Sequence, residues 1–93
     1  MEVTRYDRVV IDTHCHLTFP DFAGRLDGVM DAAGAAGVSG AITISTSSAD
    51  CADALAIAES HDRVWCSAGV HPLYTARGEH DWDAIEFVAR RPK

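Results

Sequence analysis

Apolar residues along this chain alternate between short β-branched runs and longer stretches with helical spacing. The run Val9-Val10-Ile11 has polar flanks and is typical of a strand buried on both faces, over about residues 9–13. Asp21 is placed to cap a helix over about residues 21–36, whose apolar stripe consists of Phe22, Leu26, Val29, Met30 and Ala33. The chain therefore opens with a predicted βα unit.

The same alternation continues to the end of the chain. Strands are predicted over about residues 40–45 and 64–70, and helices over about residues 48–60 and 81–91. The segment from Ser47 to Asp50 supplies a cap and a first-turn carboxylate for the second helix. The third helix is expected to turn its apolar side inward, through Trp82, Ile85 and Val88 or Ala89.

The alternation of strands and helices decides the fold class. Short connections between them predict parallel strands joined by right-handed crossovers. Three strands in the order 1-2-3 leave two unpaired edges and one bare face, whereas a parallel sheet is normally covered on both faces. Closure into a barrel solves both problems, but it takes eight strands and about 200 residues or more. We therefore predict an α/β fold, in which residues 1–93 form the N-terminal three βα units of one (β/α)8 TIM-type barrel domain that is incomplete in this chain.

The segment from Asp12 to His16 carries the sharpest chemical signal. It follows the first strand directly, and side chains at positions i and i+2 of an extended backbone point the same way. His14 and His16 therefore face one side and Cys15 the other. Two adjacent imidazoles chelate divalent metals, and catalytic groups gather at the carboxyl ends of barrel strands. We expect His14 and His16 to be metal ligands, with a pair of ordinary surface histidines as the alternative.

The segment Gly69-Val70-His71-Pro72 ends the third predicted strand. Its proline fixes the exit into the following loop, and its glycine permits close approach of a ligand or of another backbone. His71 is expected to face the same mouth as the histidine pair. There it contacts an anionic substrate, lies near the metal, or caps the loop.

Other polar residues are assigned weaker roles. Asp12 is a candidate to orient a metal-bound imidazole, whereas Cys15 points away from its neighbours and is not expected to be a ligand. His61 is expected to be solvated at the opposite end from the mouth, and His80 to cap the third helix rather than to touch substrate. Cys51 and Cys66 fit core packing.

Composition narrows the class of protein. The 47% hydrophobic and 24% charged residues are typical of a globular chain, and three widely spaced cysteines suit a reducing cytoplasm. A net charge of −6 disfavours a broad basic surface for nucleic acid, but not an enzyme that handles phosphates through a metal. The sequence has no apolar run long enough to span a membrane, and we expect no secretory signal. Alanine and arginine richness indicates a bacterial source, so we expect a cytoplasmic bacterial protein.

Together these motifs resemble the start of TatD-family metal-dependent hydrolases. The resemblance rests on Val10 to Leu17, on the helix end Ala35-Ala36-Gly37-Val38 and on Gly69-Val70-His71-Pro72. It spans about residues 9–90, and one departure is Thr18, where the family usually has an acidic residue or asparagine. The resemblance implies a (β/α)8 barrel that hydrolyses phosphodiester bonds, with DNA or another phosphodiester as substrate.

The same resemblance implies roles for three residues. His14 and His16 correspond to metal ligands, and His71 to a residue that contacts substrate. The cofactor is expected to be magnesium, manganese or zinc, with one or two ions in the complete barrel. The remaining ligands and the acid–base carboxylates are expected beyond residue 93, so no catalytic residue is assigned here. The chain by itself is expected to be inactive, because two imidazoles lack the third protein ligand of a catalytic site.

Two alternatives stay open. A phosphoesterase of the polymerase-and-histidinol-phosphatase type also opens with an Asp-x-His-x-His segment, although Leu17 is apolar where a small polar residue is usual there. A short, non-catalytic metal-binding or interaction protein built from half a barrel is the other. Such a chain would cover its open sheet edges by self-association.

Overall fold

The computed structural model describes residues 9–76 and 80–93. The strands there are β1 (Ile11–Cys15), β2 (Gly40–Thr43) and β3 (Val64–Cys66), and the helices are α1 (Leu26–Ala35), α2 (Ser48–Ser60) and α3 (Trp82–Ala89). Short 3₁₀ helices, Pro20–Phe22 and Pro72–Tyr74, follow β1 and β3. Residues 1–8, which bear on the predicted lack of a signal peptide, lie outside the described residues. Within the described part, no helix is both long and apolar enough to cross a bilayer.

The three strands form one parallel sheet in the order β1-β2-β3, which confirms the predicted α/β fold class. Helix α2 packs against β3 and against α3, and thereby covers one face of the sheet. The core on this face has two parts. One joins α2 to α3 through Cys51, Leu55, Ile85 and Val88, and the other joins the sheet to α2 through Leu17, Ala58 and Val64.

The other face of the sheet is largely open, and here the prediction of a fully buried first strand is wrong. The exposed fractions of Val9, Val10 and Ile11 are 75%, 49% and 37%, because β1 lies at the sheet edge with one neighbouring strand. Trp65 of β3 is also 40% exposed. Its ring and the Ile11 side chain close over Gly40 of β2, where a Cβ atom would lie 3.1 Å from each of them.

The first helix begins later than its apolar stripe predicts. Pro20 opens a separate 3₁₀ turn, and Gly24 adopts a left-handed backbone with a φ of 73°, so α1 begins at Leu26 rather than at Asp21. The stripe nevertheless faces the protein. Its members are the half-buried residues Phe22, Leu26, Val29, Met30 and Ala33.

Strands β2 and β3 are shorter than the predicted ranges 40–45 and 64–70. Two serines take over the pairing at their carboxyl ends. The Ser45 backbone N–H donates to Ser67 Oγ at 3.1 Å, and the Ser45 hydroxyl donates to the Ser67 carbonyl. Side-chain hydrogen bonds thus replace ladder hydrogen bonds where the strands open into their loops.

Helix α3 buries Ile85 and Val88 as predicted, but Trp82 is 64% exposed. Trp82 is the first residue of the helix, and its ring turns back toward the ring of His80, with 5.9 Å between centroids. The cap is Asp81, whose carboxylate accepts the Ala84 backbone N–H at 3.1 Å. His80 therefore does not cap the helix.

The last residue of the chain returns to the edge of β3. The Cys66 backbone N–H donates to the Lys93 carbonyl at 2.8 Å. The Lys93 ammonium donates to the carbonyls of His61 and Asp62, each at 3.0 Å, and lies 5.2 Å from the centre of the Trp65 ring. The edge predicted to be unpaired is therefore paired at this one position.

Candidate functional site

A β-bulge in β1 sets the direction of the histidine pair. Asp12 pairs with Ala41 and Cys15 pairs with Thr43, so β1 has two residues between these pairs where β2 has one. In a regular ladder His14 would stand opposite Thr43, on the face that the helices cover. The bulge puts Cys15 there instead, where it packs against the cluster of the helix-covered core. The two histidines accordingly lie on the opposite side, as their spacing predicts.

His16 is held by its backbone surroundings. Its Nδ1 lies 3.2 Å from the carbonyl oxygen of Ile44, just beyond β2. A carbonyl accepts but never donates, so in the neutral ring the proton is on Nδ1 and the lone pair is on Nε2. Metal-bound histidines commonly have this arrangement, in which one ring nitrogen donates to a carbonyl and the other binds the ion.

His14 lies beside His16, with the ring centroids 5.2 Å apart and the planes at 80°. It is exposed, and its backbone N–H donates to Asp12 Oδ1 at 3.1 Å. Asp12 was expected to orient an imidazole. Its carboxylate instead fixes the backbone at the histidine pair.

The distance between the two ring centroids is compatible with one shared metal ion. Two imidazoles bound to one tetrahedral zinc ion, with Zn–N of about 2.0–2.1 Å, have centroids roughly 5 Å apart. The donor set is incomplete, since no group of three or more His, Cys, Asp or Glu residues able to hold a metal is found in residues 9–76 and 80–93. Cys15 does not extend it, because burial, with a contribution from Asp12, raises the pKa of its thiol to about 11.

His71 lies in the loop that follows β3. Its ring nitrogens have the opposite donor and acceptor roles to those of His16. Its Nδ1 accepts the Leu73 backbone N–H at 3.0 Å, which caps the 3₁₀ helix Pro72–Tyr74. Because Nδ1 accepts in the neutral ring, the proton is on Nε2, which is a hydrogen-bond donor. The loop-capping interpretation of His71 therefore holds, and it leaves a donor for an anion.

The segment after β2 ties the two histidine loops together. Its Ile44 carbonyl contacts His16, and its Thr46 carbonyl accepts the His71 backbone N–H at 2.9 Å. The Asp50 carboxylate accepts the Thr46 N–H at 2.8 Å, and Ser47 Oγ accepts the Asp50 N–H at 3.1 Å. Among the described residues, no ring contact joins His71 to the histidine pair.

The remaining candidates make other contacts. His61 follows α2, where Nδ1 meets the Ile57 carbonyl at 3.0 Å and Nε2 meets Asp27 Oδ1 at 3.2 Å. His80 Nε2 lies 3.4 Å from the Thr75 carbonyl. Cys66 packs in the core, and burial, with smaller contributions from Cys51 and Glu59, raises the pKa of its thiol.

Comparison with known proteins identifies the family. The family model described as TatD related DNase matches residues 11–93, which include both histidine motifs. The chain belongs to the TatD-related DNase family. This membership also favours the TatD resemblance over the alternative of a polymerase-and-histidinol-phosphatase-type phosphoesterase.

Two curated relatives and one solved structure agree with this family assignment. The chain is 38% identical over 85 residues to the 3'-5' ssDNA/RNA exonuclease TatD of Enterobacter lignolyticus (strain SCF1), covering 90% of this chain and 33% of that protein. It is 39% identical over 62 residues to the uncharacterised metal-dependent hydrolase YjjV of Escherichia coli (strain K12), covering 67% of this chain and 24% of that protein. The crystal structure of YjjV, a TatD homologue, matches with a TM-score of 0.71 and 34% identity, covering 83% of this chain and 29% of that one. The chain thus spans a third or less of the length of these relatives.

Sequence reasoning within this TatD-related chain missed the groups that hold His16. Phe19 stacks on the His16 ring, with 4.8 Å between centroids and planes 14° apart. The Ile44 carbonyl, which sets the tautomer, is a backbone group, so the identity of residue 44 does not reveal this contact. A turn-forming segment directly after a candidate ligand is the one sequence signal that could have pointed to Phe19.

Proposed function

We propose that His14 and His16 are two ligands of a divalent metal ion and that the complete protein is a metal-dependent phosphodiesterase acting on nucleic acid. The observation that carries the proposal is the pair of rings 5.2 Å apart, with Nδ1 of His16 committed to the Ile44 carbonyl. Family membership supports the hydrolase class, and the TatD relative named as an ssDNA/RNA exonuclease supports a nucleic-acid substrate.

Each histidine has a distinct task in this proposal. His16 presents its Nε2 lone pair from a fixed ring, and His14 completes the pair from an exposed position at the bulge. A bound divalent ion supplies Lewis-acid polarisation of a phosphoryl oxygen and activation of water. His71 presents Nε2–H, which donates a hydrogen bond to a non-bridging phosphate oxygen of the substrate.

The carboxylates of Asp12 and Asp50, which the described residues place at these loops, are engaged with the backbone. Asp12 accepts the His14 backbone N–H, and Asp50 is engaged with Thr46. A catalytic zinc site usually has three protein ligands, and general-base catalysis requires a positioned proton acceptor. We therefore expect the 93-residue chain by itself to bind metal weakly and not to hydrolyse phosphodiesters at a useful rate.

A binding protein that self-associates is the second candidate, and one observation favours it. The exposed apolar side chains of Val9, Val10 and Ile11 lie at the outer edge of the sheet. A second copy could pair with this edge and cover it. Sedimentation that depends on concentration in the micromolar range is the expected behaviour, and a monomer at all concentrations would contradict this candidate.

Metal titration of the chain tests the main proposal. We expect zinc or manganese binding by calorimetry to weaken about 100-fold in His14→Ala and His16→Ala, since loss of a ligand costs at least as much as loss of a supporting contact. His61→Ala is the matched control, because His61 lies against α1 at the other end of α2. Equal binding by all four proteins would overturn the metal site. Phosphodiester turnover by the wild-type chain with manganese, lost in His14→Ala, would overturn the expectation of inactivity.

A further inference from the structure

Phe19 is the residue beside the metal pair for which neither the motifs nor the proposed function supplies a role. Its ring is 40% exposed and stacks on the imidazole of His16, with 4.8 Å between centroids and 14° between planes. A near-parallel stack of two rings constrains rotation of each about its own side-chain bonds. One face of Phe19 thus lies on His16.

The turn after β1 holds the phenyl ring in this position. The Leu17 backbone N–H donates to Thr43 Oγ1 at 3.1 Å, and the Leu17 side chain is buried in the core. The Phe19 N–H then donates back to the His16 carbonyl at 3.3 Å, and the Phe19 carbonyl accepts the Phe22 N–H at 3.0 Å. The chain therefore folds back over His16 through an anchored backbone.

The two histidines differ in how firmly they are held. The ring of His16 has a hydrogen bond to Ile44 in its plane and the Phe19 ring against its face. The ring of His14 contacts the edge of His16, and the hydrogen bond at His14 is made by its backbone. The hydrogen bond fixes which nitrogen has the lone pair, and the stack holds the ring in the orientation in which that hydrogen bond forms.

We propose that Phe19 is a positioning residue for His16: it fixes the imidazole plane so that Nε2 is presented as a preformed metal ligand. This inference rests on the proposed metal site, because it assigns the support for one of its ligands. Residues that orient a metal ligand typically contribute 10–100-fold to metal affinity. Stacking on the imidazole requires a flat aromatic ring. Tyrosine and tryptophan should therefore substitute for Phe19, whereas leucine, although of similar bulk, should not.

The test compares Phe19→Leu, Phe19→Tyr and Phe19→Trp in the 93-residue chain, with Phe87→Leu as the matched control. Phe87 is 59% exposed on α3 and contacts Arg91. Its replacement by leucine is therefore the same chemical change at a site away from His14 and His16. Two quantities are measured: the fraction of His16 with its proton on Nδ1, from imidazole nitrogen NMR without metal, and the dissociation constant for zinc. Retained backbone amide spectra show that each variant is folded.

We expect Phe19→Leu to lower the Nδ1–H fraction and to weaken zinc binding about tenfold. Phe19→Tyr, Phe19→Trp and Phe87→Leu should stay within about twofold of wild type, well below the 10–100-fold range for loss of an orienting residue. An unchanged tautomer and unchanged affinity in Phe19→Leu, with zinc binding still lost in His16→Ala, would overturn the positioning role and leave the metal site standing. A different result would separate the two proposals. If the wild-type chain binds no zinc through His16 but Phe19→Leu changes the tautomer of His16, the proposed metal site is wrong and the positioning role of Phe19 is supported.

Discussion

The loops that follow β1 and β3 each hold a histidine at the same edge of the sheet, but they give it opposite ring polarity. In the β1 loop, His16 Nδ1 faces the Ile44 carbonyl, so the lone pair is on Nε2. In the β3 loop, His71 Nδ1 faces the Leu73 N–H, so the proton is on Nε2. In the proposed function, the first ring is a ligand for a cation and the second is a donor for an anion. A backbone partner therefore decides what the same side chain can do.

Under the proposed function, one edge of the sheet serves both halves of a phosphodiesterase site. A metal ion needs imidazole lone pairs, and the phosphate that it polarises needs donors. Both loops are attached to the segment Ile44–Thr46, which contacts His16 at one end and His71 at the other. Changes in β2 should consequently affect both loops, whereas changes at the start of α2 should affect the β3 loop alone.

Gly40→Ala should give the larger disturbance and break the arrangement on both sides. A Cβ atom at this position would lie 2.9 Å from the Arg63 carbonyl, which is backbone, and 3.1 Å from Ile11 and Trp65 side-chain atoms. Overpacking of this kind costs about 1–3 kcal/mol in the free energy of unfolding. Urea denaturation measures that cost, and imidazole NMR should show altered signals for both His16 and His71.

Gly34→Ala is the matched control for that substitution. Gly34 lies in α1 with nothing within 4 Å of an added Cβ, so alanine should stabilise the chain by roughly 0.5–1 kcal/mol. The two substitutions are thus expected to have opposite signs. Equal unfolding free energies for both variants would show that β2 is not tightly packed between its neighbours.

Ser47→Ala should give the smaller disturbance and sharpen the comparison. Ser47 caps α2, and removal of such a cap costs about 1 kcal/mol. The cap orients Asp50, which holds Thr46, and Thr46 in turn accepts the His71 N–H. We expect the His71 ring signals to move and those of His16 to stay, with stability followed by urea denaturation.

Ser48→Ala is the neighbouring control, because the cap of α2 is formed by Ser47 and not by this first helical serine. Ser48 is half-buried and does not form the cap, so this change should stay within about 0.5 kcal/mol of wild type. If Ser47→Ala moved the signals of His16 as strongly as those of His71, the two loops would not be separable in the way the hydrogen bonds indicate.

Pattern and spacing predict the parallel order of the strands and the shared side of His14 and His16, because both follow from periodicity. They do not predict the exposure of Ile11 or the late start of α1. Exposure depends on which strand lies at an edge, and the helix start depends on the left-handed backbone of Gly24. The tautomers of His16 and His71 also escape prediction, since they are set by a backbone carbonyl and a backbone amide, whose positions residue type does not reveal.

Nitrogen NMR of the imidazole rings in the metal-free chain tests the central claim most directly. At about pH 8, where an ordinary imidazole is neutral, long-range proton–nitrogen spectra identify the protonated nitrogen of each ring. We expect His16 to have its proton on Nδ1 and His71 to have its proton on Nε2. The same tautomer in both rings would contradict the division between a cation ligand and an anion donor.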